Sequence, residues 1–310
     1  MVVDISVDLK GLKLKNPILC ASGTFGYCEE FCDFVDVSKL GAIVTKAITL
    51  SPRAGNEWQR VFETEAGMIN SVGLENIGID AFIETKIPLF KKYDTDFILN
   101  VAGSTFDEYI QVAQKAQENN IKAIELNISC PNVKHGCLEF GTDEKSLFDL
   151  VKNVRVVYKN YLIIKLTPNV TEVEKIAIAA QNAGANAVSA INTVKAAGIK
   201  MFFDKSKHKF IKTQKIQGGL SGIGIKPIAL GVVNRLSKVL EIPLIGMGGI
   251  CNLSDVFEFF AFGASAVQIG TANFTHPNVS EKIIDDMENF MNENNIENVE
   301  ELKEMLKEEI

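Results

Sequence analysis

The sequence contains neither a secretory leader at its start nor an apolar run of the ~20 residues that span a bilayer. Its six cysteines include no CxxC pair, so we expect reduced thiols and a cytoplasmic protein. Cys28 and Cys32 could form half of a metal site, but no second pair of ligands follows, which favours packing on a helix. The three histidines are scattered and no HExxH motif occurs, so we expect no metal site.

Motifs for nucleotides are also missing. No GxGxxG follows the first predicted strand, which disfavours a Rossmann dinucleotide site, and there is no P-loop. The net charge of −7 argues against a general nucleic-acid-binding protein but says nothing about local phosphate sites. With 46% hydrophobic and 23% charged residues, the composition is that of an ordinary folded chain with a large core.

Short apolar segments alternate with helical segments along the chain. Eight are predicted to be strands, within residues 16–23, 41–49, 96–103, 122–128, 161–169, 186–193, 242–250 and 265–273. Strands of a (β/α)8 barrel are parallel and buried on both faces. The pattern therefore predicts an α/β fold, a (β/α)8 TIM barrel with an active-site loop insertion and C-terminal helices, although an open doubly wound sheet would alternate in the same way.

The length of 310 residues fits two domains of about 150 residues, or one barrel of about 250 residues with extensions. We expect a single domain over residues 1–310. The segments between strands predict a helix over about 27–40, an irregular loop at 67–76 and an amphipathic helix over 79–93. They also predict a polar, basic loop over 194–217 and two terminal helices within 280–310.

Polar side chains occupy the predicted carboxyl ends of the strands, where barrel enzymes carry their chemistry. Lys46 and Lys165 are costly to bury without an anionic partner. Asn100, Asn127 and Asn192 offer both donors and acceptors. A single asparagine would be interpreted as a turn residue. The whole set suits a planar ligand with alternating C=O and N–H groups, such as a flavin or a pyrimidine.

Cys130 lies where the fourth strand ends, three residues after Asn127. A thiol with amide and basic neighbours is a candidate for proton transfer or nucleophilic chemistry, depending on how far its pKa falls from ~8.5. A buried structural cysteine explains this residue equally well when it is taken alone.

Glycines cluster late in the chain, at residues 218–222, at 246–249 and at Gly270 beside Thr271. In barrels, the loops after the last two strands commonly hold phosphate on backbone N–H groups, which glycine leaves accessible. Each cluster alone is weak evidence, because turns need glycine anyway. Together they predict a phosphate site.

At these residues the chain resembles the class 1 dihydroorotate dehydrogenases, and most closely the NAD-linked 1B catalytic subunit. The resemblance extends over nearly the whole chain and rests on the motifs TKAIT, NSVGLEN, NISCPNVKHG, IKLTPN, INT, GGLSGIGIKPIAL, GMGGI and IGTA. It implies an oxidoreductase and a flavoprotein: an FMN-containing (β/α)8 barrel that oxidises (S)-dihydroorotate to orotate in pyrimidine (UMP) biosynthesis.

The resemblance also implies roles for single residues. Cys130 matches the base that takes the C5 proton of dihydroorotate while FMN accepts the C6 hydride. The implied substrate-binding residues are Lys46, Asn70, Ser71, Val72, Gly73, Leu74, Asn127, Asn192 and Thr193. The implied cofactor-binding residues are Ser22, Thr45, Lys46, Asn100, Asn127, Lys165, Ile191, Gly222, Gly248, Gly249, Gly270 and Thr271.

A lid over residues 131–142 is expected, because a thiol is a weak base that must be aligned and shielded from water. We further expect Lys134 and His135 to modulate the thiol, although a solvated loop explains them as well. The chain departs from the family pattern at Cys137, where a second glycine is common. The segment 194–217 looks longer than usual, and its phenylalanines could pack on a partner or over the active site.

The 1B type implies a partner, an iron–sulfur flavoprotein electron-transfer subunit that carries FAD and a [2Fe–2S] cluster and passes electrons to NAD. We expect a heterotetramer of two catalytic and two electron-transfer subunits, with a homodimer of this chain. This chain lacks the cysteine spacing for its own cluster. Three alternatives stay open: a 1A-type homodimer that reduces fumarate, an isomerase or lyase barrel that binds a sugar phosphate without flavin, and a barrel that only binds its ligand.

Overall fold

The computed structural model describes residues 3–128 and 141–307. The strands are β1 (Val7–Asp8), β2 (Lys13–Leu14), β3 (Ile18–Cys20), β4 (Ala42–Val44), β5 (Val61–Thr64), β6 (Gly67–Asn70), β7 (Phe97–Val101), β8 (Ala123–Asn127), β9 (Tyr161–Lys165), β10 (Ala187–Ala190), β11 (Val194–Asp204), β12 (Lys209–Ser221), β13 (Leu244–Met247) and β14 (Ala266–Ile269). Eight of them are parallel and close into a barrel, in the order β10-β13-β14-β3-β4-β7-β8-β9.

The helices are α1 (Ile79–Thr85), α2 (Ile87–Lys92), α3 (Phe106–Glu118), α4 (Glu144–Val157), α5 (Val173–Asn182), α6 (Lys226–Ser237), α7 (Leu253–Ala261), α8 (Ala272–Thr275), α9 (Val279–Asn294) and α10 (Val299–Lys307). Amphipathic helices connect most of the barrel strands and bury their apolar faces against the barrel. α3, for example, starts at the Thr105 cap and buries Tyr109, Val112 and Ala116. No helix within these ranges is both long enough and apolar enough to cross a membrane.

All eight predicted barrel strands are confirmed, and each is shorter than the apolar segment that predicted it. Every residue of β9, β10, β13 and β14 is buried. Burial on both faces is what parallel barrel strands require, and it explains why these segments show continuous rather than alternating apolar character. The closed ring excludes the open doubly wound sheet.

The predicted polar loop over residues 194–217 is wrong. The segment forms the antiparallel hairpin β11–β12, which pairs Val194 with Leu220 and Phe203 with Phe210. The predicted irregular loop at 67–76 begins with strand β6, which joins β5 and β12 to complete a four-stranded sheet of order β11-β12-β6-β5. Frequent lysines made the hairpin resemble a loop, but its strands are mostly exposed and can carry charge on their solvent faces.

The predicted helix over residues 27–40 is also wrong. This segment is a series of turns that ends in one 3₁₀ turn, Val37–Lys39. Cys28 adopts a φ of +87°, which a continuous α-helix does not allow. The helix predicted over 79–93 is divided into α1 and α2, because Pro88 in the first turn of α2 cannot continue the hydrogen-bond ladder of α1.

The two predicted terminal helices are confirmed as α9 and α10. Asn295 ends α9 in the left-handed conformation, with a φ of +57°. α10 packs against α7 and buries Val299 and Leu302. Both helices therefore belong to the outer layer of the barrel, where α9 packs against β3 and both helices pack against α7.

Candidate active site

A cavity of about 920 Å³ lies at the carboxyl ends of the barrel strands, and β6 and β12 of the four-stranded sheet form part of its wall. All predicted binding residues but two line it: Ser22, Lys46, Asn70, Ser71, Val72, Gly73, Leu74, Asn127, Lys165, Ile191, Asn192, Thr193, Gly222, Gly248, Gly249, Gly270 and Thr271. Residues from distant parts of the sequence are thus brought to one volume, which is large enough for a cofactor and a small substrate.

The two exceptions are Thr45 and Asn100, which are fully buried and do not line the cavity. The Thr45 hydroxyl accepts the backbone N–H of Asn100 at 3.1 Å. The Asn100 amide donates to Glu125 at 2.7 Å. In this structure both side chains support the residues around the site, and direct contact between them and a cofactor stays a prediction.

Lys165 has a buried ammonium group at the end of β9, with only 4% of the residue exposed. Its Nζ donates to the Ser22 hydroxyl at 2.9 Å and lies 3.6 Å from a carboxylate oxygen of Glu125. The sequence predicted that a buried lysine here would need an anionic partner, and Glu125 is that partner.

Three of the predicted asparagines, Asn70, Asn127 and Asn192, line the cavity. The Asn192 amide donates to the Asn127 side-chain oxygen at 3.2 Å, and its own oxygen accepts the N–H of Thr193 at 2.8 Å. The Asn70 amide donates to the carbonyl of Gly219, which joins β6 to β12. Side-chain amides at the cavity wall can both donate and accept, which suits the edge of a planar heterocycle.

Lys46, at the end of β4, meets an acidic residue that was not predicted from the sequence. Its Nζ lies 3.1 Å from Glu75, which also pairs with Arg60. Hydrogen bonds from Lys46 and Arg60 lower the pKa of Glu75, so its carboxylate stays ionised and competes with any anionic ligand for Lys46. The NSVGLEN motif contains this glutamate, but nothing in its spacing indicates the partner.

Glycines form the end of the cavity next to α6. Gly222, Gly248 and Gly249 adopt φ values of +101°, +130° and +77°, which side chains disfavour. A Cβ on Gly248 would lie 2.8 Å from the Cβ of Ala229. Lys226, at the start of α6, is already paired with Asp255 at 2.7 Å. Backbone N–H groups, rather than this lysine, are therefore the available donors for a phosphate.

A polar cluster inside the barrel was not predicted at all. Glu125, Ser189 and Gln268 occur in otherwise apolar strands and are fully buried. Gln268 also lines the cavity, and its Oε1 has no hydrogen-bond partner in the part of the chain that the structure describes. The signal was present in the sequence, since a charged or amide residue in the middle of a buried strand is rare without a reason.

Cys130, Lys134, His135 and Cys137 lie outside the described residues, as does most of the predicted lid over 131–142. The chain enters that segment at Ile128, which lines the cavity. Among the cysteines that are described, Cys251 lines the cavity, and burial followed by the nearby charge of Asp255 raises the pKa of its thiol. Cys251 is therefore a poor candidate for a reactive thiolate.

Three features of the cavity suit a bound flavin. Gln268 Oε1 is a buried acceptor that lacks a donor within the described residues, and the isoalloxazine ring carries an N–H. Lys165 provides a fixed cation, which stabilises a reduced, anionic flavin. The glycine end lines the cavity with backbone that carries no side chains, which suits a phosphate. Within the described ranges, no group of three or more His, Cys, Asp or Glu side chains is arranged to hold a metal ion.

A protein from Bacteroides thetaiotaomicron named dihydroorotate dehydrogenase B (NAD(+)), catalytic subunit, is 46% identical over 97% of this chain and 98% of its own length. The protein of the same name from Geobacter metallireducens is 45% identical over 96% of this chain and 97% of its own.

Among solved structures, DHODH from Eimeria tenella in complex with ferulenol superposes with a TM-score of 0.75 at 22% identity, covering 96% of this chain and 86% of that one. This likeness concerns the barrel fold. The family model described as dihydroorotate dehydrogenase matches residues 4–291. The chain belongs to the dihydroorotate dehydrogenase family.

Proposed function

We propose that this chain is the catalytic subunit of an NAD-linked dihydroorotate dehydrogenase, which oxidises dihydroorotate to orotate in pyrimidine biosynthesis with FMN as its bound cofactor. The observation that carries the proposal is full-length similarity to proteins of that name, combined with one cavity that brings together the residues expected to bind substrate and flavin. We further propose that residues 1–310 form a single FMN-binding domain.

The chemistry that FMN supplies when bound is acceptance of the hydride that leaves C6 of the substrate. Cys130 is proposed to take the proton from C5, whose neighbouring carbonyl makes it acidic. Cys130 follows the cavity-lining Ile128 by two residues. Two residues of fully extended chain span at most about 7 Å between Cα atoms. The base is therefore expected within reach of a substrate held in the cavity.

The remaining residues bind and orient. Asn127 and Asn192 are proposed to hold the amide edge of the substrate, and Lys46 its charged group. Lys165 and Gln268 are proposed to face the flavin ring, and the glycines next to α6 its phosphate. Fixing the two reactants next to each other is itself a large part of the rate gain, because it removes the entropy cost of bringing them together.

Electrons must then leave the chain, and we propose that they pass to an iron–sulfur flavoprotein subunit with FAD and a [2Fe–2S] cluster. The relatives are named as catalytic subunits of the NAD(+) type, which implies a partner subunit and supports NAD rather than fumarate as the acceptor. We propose two copies of each subunit, with a homodimer of this chain between them. A cytoplasmic location is proposed from the free thiols of Cys20, Cys28, Cys32 and Cys251.

The purified chain is expected to be yellow, with the absorption bands of an oxidised flavin, and to lose that colour when dihydroorotate is added without oxygen. Heat-released cofactor should be FMN rather than FAD. Adding NAD should not restore the colour unless the electron-transfer subunit is present, and fumarate should not restore it either. A colourless protein that binds a sugar phosphate would instead support an isomerase or lyase barrel.

The β11–β12 hairpin provides a contact surface for this assembly. Its outer half exposes Met201, Phe202, Phe203 and Phe210, and the exposed fraction of these residues ranges from 43% to 65%. Within the single chain these rings therefore do not cover the active site, and they are available to a second subunit. Residues 194–221 also contain seven lysines and one acidic residue, which favours an acidic partner surface.

Replacing Phe202 and Phe203 with serine is expected to weaken subunit association at least tenfold, measured by sedimentation of the mixed subunits, because exposed aromatic side chains commonly anchor interfaces. Dihydroorotate oxidation with an artificial dye as acceptor should change less than twofold. Phe34→Ser is the matched control, since Phe34 is 66% exposed and lies outside the hairpin. Equal association for all three proteins would contradict this surface.

A further inference from the structure

Glu125 is a buried carboxylate that no step described above uses. It lies in β8 with none of its surface exposed. Its two oxygens accept hydrogen bonds from Asn100 Nδ2 at 2.7 Å, Ser189 Oγ at 2.7 Å and Gln268 Nε2 at 2.8 Å. These donors belong to β7, β10 and β14, so the carboxylate joins strands on different sides of the barrel interior.

The same carboxylate lies 3.6 Å from the Lys165 ammonium, on the adjacent strand β9. Lys165 also donates to Ser22 at 2.9 Å, so its Nζ is held from two directions. An ammonium buried to this extent is unfavourable without a counter-charge. Glu125 is the acidic side chain that the structure pairs with it in the described part of the chain.

We propose that Glu125 is a positioning residue of the flavin site, which acts through Lys165. This inference rests on the proposed function, because it concerns how the chain prepares itself for FMN. The lysine side chain has four rotatable bonds, and an unpaired lysine would lose its rotational freedom when the cofactor binds. Pairing with Glu125 fixes the ammonium beforehand, so that FMN meets a preorganised cation.

Glu125 also orients Gln268, which lines the cavity. The Gln268 Nε2 donates to Glu125. Its Oε1 is left as a free acceptor on a cavity-lining side chain, because no described residue donates to it. The carboxylate therefore sets which end of this amide a ligand meets. One buried charge orients both a cation and an acceptor towards the same ligand.

The proposal is tested by a double-mutant cycle read by FMN binding to the apoprotein, using the quenching of flavin fluorescence. Glu125→Gln is expected to raise the dissociation constant of FMN about tenfold, the scale of one long side chain losing its fixed rotamer. In a Lys165→Met background, the same substitution should change it less than twofold, because the group that Glu125 positions is gone.

Glu125→Gln keeps the shape of the side chain. The new amide oxygen can still accept from Gln268 Nε2 and Ser189 Oγ, so Gln268 keeps its orientation. The new amide nitrogen can donate to Asn100 Oδ1, a buried acceptor without a partner in residues 3–128 and 141–307. Glu125→Asp is the second variant, since it keeps the charge but moves it away from Lys165 and Gln268. It should weaken FMN binding more in the wild-type background than in the Lys165→Met background, where only the orientation of Gln268 is left to lose.

Ser189→Ala is the matched control, because it removes one hydrogen bond to Glu125 without touching Lys165, and it should change FMN affinity less than twofold. Equal losses from Glu125→Gln in both backgrounds would overturn the proposal, because Glu125 would then act by general stabilisation of the barrel. No loss in either background would overturn it too. A wild-type protein that does not bind FMN would contradict the proposed function itself, before any variant is made.

Discussion

Replacing Cys130 with alanine is expected to leave FMN bound while the rate of flavin reduction by dihydroorotate falls by about 10²–10⁴, the range that one general base contributes. The loss follows because the variant has no group at this position to take the C5 proton. The described cysteine that lines the cavity, Cys251, is a poor substitute, since burial raises the pKa of its thiol. The measurement is anaerobic stopped-flow reduction of the bound flavin, which isolates this half of the reaction from electron transfer to a partner.

Two further variants separate the base from its surroundings. Cys130→Ser keeps a group that can carry a proton and should retain more activity than the alanine variant. In the Cys137→Ser variant, which changes a thiol in the same segment of the sequence, dihydroorotate should reduce the flavin at close to the wild-type rate. Unchanged flavin reduction in Cys130→Ala would remove the base assignment, whatever the behaviour of the other two.

Replacing Lys165 with methionine is expected to weaken FMN binding and to slow flavin reduction by about 10²-fold, because a fixed cation that stabilises developing negative charge contributes on that scale. The midpoint potential of any flavin that remains bound should fall, since its reduced form loses the neighbouring ammonium. Lys165 Nζ is held by Ser22 and Glu125, so methionine also leaves Glu125 without its counter-charge.

Lys122→Met is the control for a lost positive charge. The Lys122 side chain is 78% exposed and pairs with Asp96, and it lies at the amino end of β8, whereas the cavity lies at the carboxyl end. It should leave both the rate and the FMN content unchanged. A Lys165→Met protein with full FMN occupancy and a normal reductive half-reaction would contradict the role of this lysine.

The barrel could be predicted from the sequence because its strands are buried on both faces and form continuous apolar segments. Lys46 and Lys165 could be found for a related reason, since a lysine at the end of such a segment stands out. The hairpin could not be predicted, because the pairing of β12 with β6 joins residues about 150 positions apart. No local pattern in this lysine-rich segment indicates that pairing.

The part of the candidate site that could not be predicted consists of partners rather than ligand contacts. Glu125 and Gln268 were included in strands β8 and β14 without a role, since their side chains meet only when the ring closes. Glu75 and Arg60 escaped prediction for a similar reason, because the ion pairs of Glu75 with Lys46 and with Arg60 depend on how the segment that carries β5 and β6 folds back onto the barrel. Side-chain partners across a closed sheet are a property of the tertiary structure.

The hairpin β11–β12 has a consequence for how such a protein can change. Its inner half, next to Gly218 and Gly219, is cavity wall, and its outer half is exposed ribbon. If the partner docks on the outer half as proposed, substitutions there would change the partner and leave the residues that line the ligand cavity unchanged. Grafting the outer half of the hairpin from a relative is then expected to exchange the electron acceptor and to leave flavin reduction by dihydroorotate intact.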